Sequence, residues 1–232
     1  MKRKILLSVL LTAATWSLSS LATAGWDTGP CPGGGTAPCI EAEVSGTTYH
    51  FNGSGDHAGE WHGLPTTGED FEFSGVSEWS CRGLDFDCTW TWGAKIKKCM
   101  DSSGDWRIGL KVGSNNVSGG FGCSSFALAG FPWYTKNPIS SSVHCPFQDS
   151  CDDFVPYDSN SSNYAVELGS IDLAIFGIPL VSDGHLQGVI FTPGTGANFA
   201  FSSDLYGCDG SEGDCYVQGD LTVTNATSLD IH

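Results

Sequence analysis

The segment HFNGSGDHAGEWH, His50 to His62, brings three of the six histidines together with Asp56 and Glu60 in thirteen residues. Imidazoles and carboxylates are the usual donors to zinc and similar ions. Gly53, Gly55 and Gly59 would let the chain bend until His50, His57 and His62 meet. A metal there would support a small secreted hydrolase. Two features oppose this. The spacing follows no zinc-ligand rule, and on a strand His57 has the opposite parity to His50 and His62, so one face presents at most two. A polar hairpin accounts for the same residues: 49–51 leave a strand, 52–56 turn and Trp61 anchors the return. The hairpin is the favoured reading.

Other chemistry-bearing patterns are weaker. DGSEGDC and QDSCDD cluster oxygen ligands suited to calcium, but neither follows the EF-hand order, and acid-rich turns are expected at this charge. The acidic composition is compatible with calcium; no resident cofactor is expected. Trp90 and Trp92 share a strand face and would make an aromatic platform for a sugar or an aliphatic chain, with Trp61 and Trp133 as further contact candidates. Paired tryptophans beside a disulfide also suit a core. There is no GxSxG elbow, HExxH, P-loop or GxGxxG in a strand-to-helix setting. The expectation is a protein that is not an enzyme.

The elements that position these residues read as strands. FEFSGVSEW places Phe71 and Phe73 on one side, CTWTWGAKI places Trp90 and Trp92 together, and WRIGLKVG alternates Trp106, Ile108, Leu110 and Val112. YAVELGSIDLAIFGIPLV reads as two strands divided near Gly169 or Gly177. DSSGD, GSNN, SDGH, TPGTG and CDGSEGDC are turn signals. The fold class predicted is all-β, an antiparallel β-sandwich or barrel stapled by disulfides, with long Gly-, Ser- and Asp-rich loops. Residues 137–163 read as a long loop pinned by Cys145 and Cys151, or as a link between two β halves of a single domain spanning 25–232.

Residues 1–24 read as a signal peptide: Lys2, Arg3 and Lys4, a short apolar run, then Ala22-Thr23-Ala24. No second long apolar run follows, so no transmembrane segment is expected in the mature chain. The ten cysteines fit an exported protein. Sequence proximity suggests the pairs Cys31–Cys39, Cys81–Cys88, Cys145–Cys151 and Cys208–Cys215, leaving Cys99 and Cys123. No CxxC occurs, which argues against zinc held by cysteine. With 10 Lys and Arg against 26 Asp and Glu the formal charge is −16. Loss of the leader makes it more negative still, which excludes nucleic acid as a partner.

Two stretches carry a family resemblance. VSGGFGCSSFALAGFPWY, residues 117–134, contains Phe121-Gly122-Cys123 and then Pro132-Trp133. Residues 197–232 contain Cys215, Val217, Gly219 and Leu221 as a Cys-x-Val-x-Gly-x-Leu strand. These resemble the bacterial protein activators of alkane oxidation, mainly in the C-terminal half of the chain. The resemblance implies an extracellular, non-catalytic role in contacting or assimilating water-insoluble hydrocarbon, with hydrophobic small molecules or cell-surface material as partners. It supplies no catalytic residues. Carbohydrate or matrix recognition through the tryptophans is the competing binding reading.

Overall fold

The computed structural model describes residues 25–33, 35–51 and 58–232. The signal peptide expected at 1–24 lies outside the described residues, as do Asp56 and His57. In chain order the strands are β1 (Asp27–Thr28), β2 (Ile40–Val44), β3 (Thr47–Phe51), β4 (Phe71–Cys81), β5 (Leu84–Met100), β6 (Trp106–Gly119), β7 (Phe126–Ala129), β8 (Trp133–Lys136), β9 (Val155–Pro156), β10 (Tyr164–Ile175), β11 (Ile178–Thr192), β12 (Gly194–Thr195), β13 (Asn198–Tyr206), β14 (Glu212–Val223) and β15 (Ser228–Ile231). Among the described residues the only helical piece is a 3-10 turn at Cys123–Ser125.

Eight antiparallel strands close into a barrel in the order β4-β5-β6-β8-β10-β11-β13-β14, with β14 pairing back onto β4. Each barrel strand pairs with the next barrel strand along the chain, so closure removes the open edges an up-and-down sheet would otherwise expose. The barrel draws strands from both sides of 137–163. That segment is a strap outside the barrel and not a hinge between halves.

Period-2 alternation decides which side chains fill the barrel. On β4, Phe71, Phe73, Trp79 and Cys81 are buried while Glu72, Glu78 and Ser80 are exposed. On β13 and β14, Phe199, Phe201, Leu205, Val217 and Leu221 are buried and alternate with less buried, mostly polar neighbours. An eight-stranded barrel is just wide enough for its side chains to fill, and here aromatics fill it. Trp92 stacks on Phe201 with centroids 5.4 Å apart, and Trp90 meets Trp79 at 4.7 Å and Trp92 at 4.8 Å. The outward positions are mostly polar, the reverse of a lipid-facing strand. No helix among the described residues is long and apolar enough to cross a membrane.

A second sheet, in the order β1-β3-β2-β15-β12, lies across the end where β4 begins and β5 finishes. Its Ile40, Ala42, Phe51, Leu229 and Ile231 join the same buried cluster as the barrel interior.

The cysteines pair differently from the local scheme, except for Cys31–Cys39. The other bonds are Cys81–Cys215, Cys88–Cys123, Cys99–Cys151 and Cys145–Cys208. The reason is strand geometry. Cys81 lies next to the tight β4–β5 turn opposite Leu84, and Cys88 is carried down β5 to face Ser77, at about 3.3 Å per residue. Opposite Cys81 on its other flank stands Cys215. Short separation along a strand is thus distance, not proximity.

Candidate functional site

The expected tryptophan platform is internal. Trp90, Trp92 and Trp133 have no accessible surface, so a ligand cannot reach them on the folded protein. Trp61 is only partly buried. Its indole donates to Asp149 Oδ2 at 2.9 Å, and the ammonium groups of Lys111 and Lys97 lie 4.8 and 5.1 Å from its ring. Lys97 is also paired with Asp149 at 2.6 Å. Burial raises the Asp149 carboxyl, but the hydrogen bonds from Lys97 and Trp61 outweigh it and hold it below its usual value. Trp61 is therefore a clamp between the strap and the barrel wall.

The histidine-rich segment does not converge either. His50 Nδ1 faces the Gly29 carbonyl at 2.8 Å on the small sheet. His62 is buried, stacks on Phe51 at 4.0 Å and bridges to Ile96 through its backbone. Residue 61 does not return along β3 as a hairpin partner. His57 lies outside the described residues.

Among the described residues, three groups gather His, Cys, Asp or Glu donor atoms within 4.8 Å: Cys31, Glu41 and His232; Cys145, Asp183 and Cys208; His144, Glu167 and His185. The cysteines of the first two are bonded in disulfides, and a disulfide sulfur is not a thiolate ligand. The third group is buried throughout. Burial first, then His144 and Lys136, push His185 down to about 4, with the Tyr206 backbone opposing weakly.

The surface with the plainest chemical character is the end of the barrel opposite the small sheet. Seven large apolar side chains are exposed among the described residues, and Leu84, Phe121, Phe176 and Ile178 all lie on the turns of this end. Phe121 is 92% exposed. Local structure brings the turns together. Cys88–Cys123 ties β5 to the turn that follows Phe121. A Cβ on Gly122 would stand 2.5 Å from the Phe86 ring, whose centroid is 6.4 Å from that of Phe176. The Phe176 amide donates to the Ser125 carbonyl at 3.2 Å.

No family model, curated protein or solved structure matches the chain.

Phe176 makes this rim unusual. Ile175 pairs with Ile178 across a two-residue turn in which Phe176 has φ 52° and Gly177 φ 75°. Two positive φ values define the hairpin turn that prefers Asn-Gly or Asp-Gly. A phenylalanine there stores about 1 kcal/mol of backbone strain or somewhat more. It is also 55% exposed, so burial offsets the strain only in part. The only sequence signal was IFGI, an apolar run across a turn where polar residues are usual.

Proposed function

We propose that the protein is an exported, non-catalytic accessory that contacts water-insoluble, uncharged substrate such as alkane through the rim formed by Leu84, Phe121, Phe176 and Ile178. The observation that carries this reading is the gathering of those exposed side chains on adjacent turns, one of them held in a strained backbone conformation. Exposed apolar patches mark contact sites. Charge selects among hydrophobic partners: the formal charge of −16 repels anionic lipid headgroups and does not repel neutral hydrocarbon. The resemblance to activators of alkane oxidation points the same way, and a disulfide-bonded barrel suits an oxidising extracellular setting.

The experiment is adsorption of the purified protein to hexadecane droplets. The wild type depletes from the aqueous phase, and F121S/F176N/I178S lowers the adsorbed fraction at least tenfold while its circular dichroism is unchanged. Equal adsorption of the two proteins, or none by the wild type, refutes the reading.

A further inference from the structure

We propose that His144, Glu167 and His185 form a binding site for one zinc-class divalent ion between the strap and the outer wall of the barrel. This goes beyond the hydrocarbon-contact reading and does not depend on it.

The site is built from three places in the chain. Glu167 on β10 and His185 on β11 occupy outward positions, since their neighbours Val166, Leu168 and Leu186 point into the barrel core. Outward side chains on this barrel are normally wet, but these are 2% and 0% exposed. The strap covers them. Cys145–Cys208 anchors it, the His144 amide donates to the Cys208 carbonyl at 3.1 Å, and Lys136 Nζ donates to the His144 carbonyl at 2.8 Å. Phe147 seats over Gly169, where a Cβ would stand 2.2 Å from its ring. His144 is thereby laid over His185, rings stacked at 4.5 Å.

The donor set suits the ion. His144 Nδ1 lies 2.8 Å from Glu167 Oε2, and donor atoms of all three residues lie within 4.8 Å of one another. Ligands around tetrahedral zinc stand about 3.4 Å apart, given bonds near 2.1 Å. To reach that arrangement the 2.8 Å pair opens by about 0.6 Å, pairs near the 4.8 Å limit close by about 1.4 Å, and the stacked imidazoles swing apart so that both lone pairs converge, with water as the fourth ligand. Binding removes the proton shared between His144 Nδ1 and Glu167. One carboxylate offsets two units of the ion's charge only in part, and the Lys136 ammonium opposes it.

A second, independent observation points to a ligand. His185 Nδ1 is buried and makes no well-aligned hydrogen bond, and the Tyr206 backbone interacts with this imidazole only weakly. Its other nitrogen, Nε2, lies 3.1 Å from the Gln187 amide. Buried polar atoms are seldom orphaned, and an orphaned imidazole nitrogen whose partner nitrogen is held by an amide is the arrangement of a metal-binding histidine with its orienting group. As placed, the Gln187 amide nitrogen donates to Nε2, so ion binding requires that amide to turn over, which puts its oxygen against an Nε2 proton and gives the Nδ1 lone pair to the ion.

The test uses full-length, disulfide-bonded, tag-free protein, stripped with chelator and titrated with zinc chloride. The wild type takes up one equivalent, and its zinc absorption-edge spectrum shows two imidazole nitrogens. H185A and E167Q each weaken uptake more than tenfold, Q187A weakens it about tenfold through loss of orientation, and H50A/H57A leaves it unchanged. E167Q nearly preserves side-chain shape, so it remains informative if H185A does not fold. No saturable uptake by the wild type, or full uptake by E167Q, overturns the proposal.

Discussion

The two ends of the barrel face water in opposite ways. At one end the five-stranded sheet covers the core, and even a lysine is sealed beneath it: Lys98 has no accessible surface, and its ammonium donates to the Pro38 and Phe51 carbonyls at 3.2 and 3.4 Å. At the other end tight turns close the barrel and leave Phe121 and Phe176 in solvent. Burying a charge and exposing a phenylalanine are both unfavourable taken alone. The closed end satisfies its charge with carbonyls. Among the described residues the open rim leaves Phe121 almost wholly and Phe176 more than half in solvent, so these apolar side chains are available to something outside the chain.

The largest effect should come from opening the closed end. Phe51 is 1% exposed, meets Trp26 at 4.7 Å and His62 at 4.0 Å, and lies under the Lys98 ammonium at 5.1 Å. F51A is expected to lower unfolding free energy by about 3–5 kcal/mol in chemical denaturation. A loss below about 1 kcal/mol would mean that the small sheet is not part of the cooperative unit.

A smaller effect is expected from pH. Burial pushes Lys98 down to about 8 from the ordinary lysine value of 10.5. Between these values the unfolded chain binds more protons than the folded protein, so Lys98 makes stability rise with pH from about 8 to 10.5. At about 1.4 kcal/mol per pKa unit, this contribution is on the order of 1–3 kcal/mol. Stability of the wild type relative to K98M should therefore improve over that range. A pH-independent difference would show that the ammonium is effectively solvated.

The smallest effect sharpens the contrast most. F176N places a residue suited to positive φ in the rim turn, so the protein should gain about 1 kcal/mol. Adsorption to hexadecane should fall at the same time. A gain in stability with unchanged adsorption would separate the strain from contact with hydrocarbon.

Much of the barrel was legible because alternation is a local property. Phe71 and Phe73, Trp90 and Trp92, and Ile108, Leu110 and Val112 each share a face, and these faces are buried. The division of 164–181 was narrowed to Gly169 or Gly177, and the turn falls at Gly177 while Gly169 lies inside β10. The choice between sandwich and barrel was not, since closure depends on β14 meeting β4. The histidine-rich stretch drew attention because its residues are close in sequence, while His144, Glu167 and His185 are far apart and carry no spacing rule.

By itself the sequence determined the all-β class, the core-facing residues of the main strands and the acidic charge, because side-chain alternation and composition need no partner. Tertiary structure alone decided the disulfide map outside Cys31–Cys39, the burial of Trp133, the rim of Leu84, Phe121, Phe176 and Ile178, and the enclosure of His185. Each depends on which strand or strap lies alongside, and that is set by barrel closure across segments distant in the chain.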